Sequence, residues 1–163
     1  MPVQPPITDI EVLKDRPAVS ALKGFSLVEG AKFDHNELTI YVNRADIKQA
    51  CERLRNSPET NFNFLADITC VDIFPSEPRF EVIYNLLSHS RKERVRLIAR
   101  VPGGDASIES IMGLWPAVDF FEREVFDLFG VRFVGHPNML RIMMPEDWEG
   151  HPLRKDYPVE GYR

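Results

Sequence analysis

The sequence predicts a two-layer α+β domain, a mainly antiparallel sheet with helices on one face, followed by a long extended C-terminal tail. Three observations predict it. Segments between Phe64 and Val101 alternate apolar and polar residues, the period of strands buried on one side only. Segments near 47–54 and 118–129 repeat apolar residues at helical spacing instead. Beyond residue 130, Pro137, Pro145, Pro152 and Pro158 interrupt any helix or central strand, so that stretch has no regular structure to adopt.

The first helix is expected to start at Thr8, because Thr8-Asp9-Ile10-Glu11 has the capping-box pattern, and Pro17 to end or kink it. Phe25 to Val28 and Glu37 to Asn43 read as short strands around a turn containing Gly30 and Asn36. Asn43 caps the next helix, whose Ile47, Ala50, Cys51 and Leu54 form one apolar stripe, and Ser57-Pro58 closes it. A meander follows: Phe64, Ala66, Ile68 and Cys70, then Phe80, Val82, Tyr84 and Leu86, then Val95, Leu97, Ala99 and Val101 are the inward sets. The residues between them, among them Arg79, Glu81, Asn85, Arg94, Arg96 and Arg100, are polar and assigned to a wet face. Pro102-Gly103-Gly104-Asp105 is a loop, after which Ser107 is expected to cap a helical region broken by Gly113 and Pro116. Its second part runs from about Pro116 to Phe129, with Gly130 as the C-terminal cap. The chain thus divides into a domain over 1–130 and a tail over 131–163.

Composition removes several classes of function. A net charge of −5 without any Lys/Arg run argues against nucleic acid. No apolar stretch approaches the roughly 20 residues that span a bilayer, and the first residues lack the pattern of a secretory leader. Cys51 and Cys70 stand apart, without CxxC spacing; they suit a reducing compartment and packing roles, and an iron–sulfur cluster held by cysteines would need more of them. No nucleotide-binding loop, GxSxG or HExxH occurs.

The helix ending at Phe129 is apolar around most of its circumference, with Val118, Phe121, Val125, Leu128 and Phe129 on one arc and Phe120 and Phe126 flanking it. Glu122 and Glu124 lie between these apolar residues, while Asp119, Arg123 and Asp127 share the polar side. Carboxylates so placed must raise their pKa or find cationic or amide partners, and Arg141, Arg154 and Lys155 are the candidates within the chain. Residues two apart on a helix point away from each other, so Glu122 and Glu124 cannot act together on one substrate. Gly135-His136-Pro137 and Gly150-His151-Pro152 read as turns rather than as metal ligands. Met139, Leu140, Ile142, Met143, Met144, Trp148, Leu153 and Tyr157 are too many large apolar groups for a disordered segment. The tail therefore needs a surface to lie on.

The run from Glu122 to Pro158, EREVFDLFGVRFVGHP and then RIMMPEDWEGHPLRKDYP, resembles the 30-kilodalton or C subunit of proton-pumping NADH–quinone oxidoreductase, respiratory complex I. It covers close to a quarter of the chain. Family members commonly carry two consecutive arginines where this chain has Leu140-Arg141, and a Trp near its Phe120-Phe121. The resemblance implies a peripheral subunit without flavin, iron–sulfur cluster or metal, at the cytoplasmic face of the cell membrane. It implies packing against the quinone-site subunit and the terminal iron–sulfur subunit, so that catalysis belongs to the complex and not to this chain. The same signature occurs in plastoquinone-reducing relatives and membrane-bound hydrogenases, which leaves an equivalent scaffold role there as the alternative. The residues expected at partner interfaces or in structural ion pairs are Glu122, Arg123, Glu124, Arg141, Trp148, Arg154, Lys155 and Asp156. On this reading, cutting after Phe133 leaves the domain folded and abolishes assembly.

Overall fold

The computed structural model describes residues 5–22 and 28–161. Its helices are α1 (Ile10–Leu13), α2 (Pro17–Leu22), α3 (Ile47–Asn56) and α4 (Val118–Phe129). Its strands are β1 (Val28–Asp34), β2 (Glu37–Val42), β3 (Phe64–Asp72), β4 (Phe80–Ser88), β5 (Glu93–Val101), β6 (Ser107–Glu109) and β7 (Arg132–Val134). Five strands form one sheet in the order β1-β2-β5-β4-β3. Neighbours are antiparallel except β2 and β5, which run parallel because the chain crosses through α3 to the far edge before returning through the meander. The inward residues of β2, β4 and β5 share one core with Leu13, Val19, Leu22, Ile47, Leu54, Val118, Val125 and Phe129 of the helices. That arrangement is the two-layer α+β architecture.

Local chemistry explains each end. Asp9, one residue later than expected, caps α1 by accepting the Glu11 amide at 2.9 Å. Pro17 does not terminate a helix; it opens α2, where its missing N–H has no partner to lose. Phe25 to Leu27 of the expected first strand lie outside the described residues. Gly30 sits inside β1 opposite Tyr41, and the turn is His35-Asn36, both at positive φ as a type I′ hairpin requires. Asn43 accepts the Ala45 amide and leads through a short 3-10 turn into α3, whose Ile47, Ala50, Cys51 and Leu54 are all buried, as the stripe predicts.

Three expectations fail for physical reasons. The pairing of β3 with β4 skips Ala66, a β-bulge that reverses the alternation, so Leu65 is buried while Phe64 and Ala66 face out. Ser107 begins no helix: residues 107–109 form β6, paired in parallel with β7, a contact no local pattern encodes. Arg79 is buried and ion-paired rather than on the wet face. The sequence-based division at residue 130 also falls inside the packing, since Val131 and Phe133 are core residues and β7 closes the small sheet.

The bulge makes a direct prediction. Ile68→Ala, inside the core, lowers unfolding free energy of the full chain by about 2–5 kcal/mol. Phe64→Ala, outside it, changes that energy by no more than about 0.5 kcal/mol. Urea denaturation of both variants checks the pair.

Candidate functional site

An α-helix leaves its last four carbonyls without intrahelical donors. In α4 all four are satisfied, and three of them by residues far downstream. Gly130, at φ 74°, donates to Phe126 O at 2.8 Å. Asp127 O accepts from Arg141 Nη1 at 3.2 Å and from His151 Nδ1 at 2.9 Å. Leu128 O accepts the Leu153 amide at 3.0 Å, and Phe129 O accepts Arg154 Nε at 2.6 Å. The segment from 141 to 154 is thus the C-terminal cap of this helix. Its two guanidinium groups also stand where the helix dipole favours positive charge. Gly130 is required here twice over: a side chain would be strained at that φ, and its Cβ would meet the His151 ring and the Arg154 guanidinium at 2.5 Å.

The Asp127 carboxylate anchors the same segment from inside. It is 0% exposed. One oxygen accepts Arg141 Nη1 at 2.6 Å, and the other accepts three successive amides, of Ile142, Met143 and Met144, at 3.0, 2.8 and 2.9 Å. Burial alone would raise its pKa; the amides and Arg141 together outweigh burial and hold it below the ordinary value. Arg141 Nη2 then reaches Gly150 O at 2.9 Å, so both ends of the 142–150 loop are tied to one point.

A second clamp fixes the far end. Asp72, buried at the end of β3, accepts Arg79 Nε and Nη2 at 3.0 and 2.8 Å, the Phe74 amide at 3.0 Å, and the Lys155 amide at 2.8 Å. Burial opposes the charge, yet these donors bring its pKa down to about 2. Arg79 makes a second bidentate pair with Asp156, at 2.6 and 2.9 Å. Lys155 therefore contributes its amide to the pairing, where the sequence offered its ammonium.

Glu122 has a different fate on the same helix. It is 0% exposed and accepts hydrogen bonds from the Ser110 hydroxyl at 2.6 Å and the Ile111 amide at 2.8 Å, and among the described residues no cation pairs with it. Burial dominates and pushes its pKa up to about 7, the two donors resisting and nearby Asp119 assisting. Neither Arg141, Arg154 nor Lys155 serves it. Glu124 is half-buried beside it in sequence, and Arg123 donates to Leu140 O at 2.9 Å and Arg141 O at 3.3 Å. Trp148 stands at the outer loop, 38% exposed.

The histidine–proline tripeptides are turns, with Gly135 and Gly150 at φ 91° and 76°. His136 Nδ1 accepts the Asn138 amide at 3.1 Å, which leaves Nε2 facing Asp119 at 3.2 Å. Among the described residues, no group of three or more His, Cys, Asp and Glu side chains is placed to hold a metal. Burial pushes both cysteine thiols well above their ordinary pKa, so neither presents a thiolate. No helix among the described residues is long and apolar enough to cross a membrane.

Two residues central to this geometry escaped sequence reading. Asp72 continues the inward set of Ile68 and Cys70, and a charge at a core position was the available signal. Asp127 sat on the polar side of the helical wheel, where nothing announces that a distant segment covers it.

Two experiments test these charge states. Glu122 has a folded-state pKa above its unfolded value, so its protonation stabilises the fold fully below about pH 4.5. That contribution, about 3 kcal/mol, is lost as pH rises through about 7. Glu122→Gln removes this pH dependence, seen in unfolding free energies measured from pH 5 to 8; an unchanged slope contradicts the assignment. Asp127→Ala leaves Arg141 and three amides without their acceptor and lowers stability by about 3–5 kcal/mol at pH 7.

Comparison with known proteins places this geometry in a family. Residues 40–163 match the family described as respiratory-chain NADH dehydrogenase, 30 Kd subunit. The C subunit of NADH-quinone oxidoreductase from Roseiflexus sp. (strain RS-1) is 46% identical over 134 residues, which are 82% of this chain and 76% of that protein. Its counterpart in Geobacter metallireducens is 43% identical over 155 residues, 94% and 91% of the two chains. A solved trypsin-resistant fragment (1-134) of Nqo5 matches with a TM-score of 0.63 at 30% identity, over 78% of this chain and 96% of the fragment. A chain of the membrane-bound sulfane sulfur reductase, an archaeal respiratory membrane complex, matches with a TM-score of 0.73 at 27% identity, over 91% and 85%. A family match over residues 40–163, together with identities above 40% across most of the chain, means that this protein belongs to the family of the 30-kilodalton subunit of respiratory-chain NADH dehydrogenase.

Proposed function

We propose that the chain works as the 30-kilodalton subunit of an NADH–quinone oxidoreductase: a peripheral structural subunit that binds no cofactor itself and contributes to catalysis only as part of the complex. The relatives named as the C subunit of NADH-quinone oxidoreductase support the assignment to that complex. One structural observation supports the docking role. The 135–161 segment makes its polar attachments inward, on α4 and β3, and turns several large apolar side chains outward. Phe120 on α4, Leu140 and Met143 are 61%, 52% and 60% exposed, and Leu153 is half-exposed. Apolar side chains left bare on a segment already anchored by its polar contacts support an interface on that side. The expected neighbours are the quinone-site and terminal iron–sulfur subunits, at the cytoplasmic face of the membrane.

This geometry changes the truncation expected from sequence. Removing everything after Phe133 takes the donors from three of the four capped carbonyls of α4, strips buried Asp127 of Arg141 and the three amides, and takes the Lys155 amide from buried Asp72, so the domain itself loses stability. Leu140→Glu with Met143→Glu is the cleaner probe. Both residues reach solvent, so the isolated chain keeps its stability to within about 0.5 kcal/mol, while assembly fails. Affinity purification of the tagged chain from gently solubilised membranes measures assembly. Wild type should carry iron–sulfur and quinone-reducing partners, and a monodisperse wild-type monomer overturns the proposal. Glu124→Ala, in the assembled complex, lowers the stability of the subunit's attachment by about 3 kcal/mol or more if its half-buried carboxylate is paired across the interface. A loss within about 0.5 kcal/mol means it stays solvated.

A second reading is favoured by the match to the sulfane sulfur reductase chain: the same scaffold in a related respiratory membrane complex. NADH-driven quinone reduction by the purified complex distinguishes the first reading from it.

A further inference from the structure

The loop between the two attachments to Asp127 is prepared to meet something specific. Its ends are held by the Arg141 bridge to Asp127 and Gly150 O, by the three amides on the Asp127 carboxylate, and by His151 on Asp127 O. A turn within it, the Trp148 amide on Pro145 O at 3.1 Å, sets its shape. At the tip, Pro145, Glu146, Asp147, Trp148 and Glu149 are all exposed. A loop ordered before binding loses little conformational entropy on binding.

Charge in this region is sorted by direction. Its arginines face inward: Arg123 on the Leu140 and Arg141 carbonyls, Arg141 on Asp127, Arg154 on Phe129 O. The carboxylates of Glu146, Asp147 and Glu149 face outward, and none has an ion-pair partner among the described residues. The one exposed cation between 135 and 161 is Lys155, whose amide is the far anchor on Asp72. The loop therefore presents one aromatic side chain among three unneutralised negative charges. Exposed Leu140 and Met143 precede its tip in the chain.

We infer that this loop, Trp148 foremost, docks into an apolar groove rimmed by lysine or arginine side chains on a neighbouring subunit. The inference rests on the docking role proposed above and adds the chemistry of the partner surface. Trp is among the residue types enriched at the energetic centres of interfaces, with its ring in a desolvated pocket. The three carboxylates stay at the rim, where opposite charge on the partner speeds association and fixes register. A bilayer surface is the poorer match, because anionic headgroups attract basic segments and repel this loop.

The test replaces Trp148 with an aromatic photo-cross-linking residue in the full chain, within the assembled complex, and maps the cross-linked peptide by mass spectrometry. The expected product joins the loop to another subunit within a few residues of lysine or arginine. A product in a partner segment without basic residues overturns the charge assignment, as does cross-linking to lipid. Products confined to this chain, in a complex that has assembled, overturn loop docking altogether. The docking role of the wider segment is judged separately, by the Leu140 and Met143 substitutions. A second measurement reverses the charges with Glu146→Lys, Asp147→Lys and Glu149→Lys. The isolated variant keeps the wild-type melting temperature, and the yield of assembled complex falls at least about tenfold. An unchanged yield overturns the inference.

Discussion

The end of α4 is the constraint from which the rest of the C-terminal structure follows. Four carbonyls and one buried carboxylate converge there, and none of them tolerates burial without donors. Gly130 supplies one amide, and the chain must return from more than ten residues away to supply the others. Because the donors are guanidinium, imidazole and backbone amide groups, the return is stitched by polar contacts and needs no regular secondary structure. That is why a proline-rich segment can be ordered. Proline forfeits an amide that a helix or strand would need, whereas this cap draws its amides from Ile142, Met143, Met144 and Leu153.

Polar attachment inward has a consequence outward. Backbone and arginine groups occupy the side facing the domain, so the apolar side chains of Leu140, Met143, Trp148 and Leu153 are left on the other side. The segment is tied to the domain by main-chain amides and by the Arg141, His151 and Arg154 side chains, and the docking role proposed above concerns the apolar side chains that face away. A family of proteins that work inside a larger complex is a natural setting for such a division, and the similarity to the 30-kilodalton subunit of NADH-quinone oxidoreductase fits it.

Three carboxylates show how surroundings set charge. Asp127 and Asp72 are buried with arginine and several amides, and remain ionised. Glu122 is buried with one hydroxyl and one amide, and holds its proton close to neutral pH. The helical wheel placed Glu122 correctly among apolar residues but could not assign its partners. Ser110 and Ile111 reach it only because β6 pairs with β7 and brings the 110–112 segment beneath α4. The same wheel put Asp127 on a polar side, since the segment that covers it begins with Arg141.

Sequence by itself determined the meander, the inward sets of β4 and β5, the buried stripe of α3, the span of the last helix with its Gly130 cap, and the family signature from Glu122 to Pro158. These rest on local periodicity, on capping chemistry and on one contiguous motif, all written in neighbouring residues. Only the tertiary structure decided the parallel pairing of β2 with β5, the bulge at Ala66, the clamp of Arg79 between Asp72 and Asp156, and the return of residues 141–154 to close α4. Each of these is a contact between residues distant in the chain. Its energy depends on what burial places opposite a group, and no local pattern carries that information.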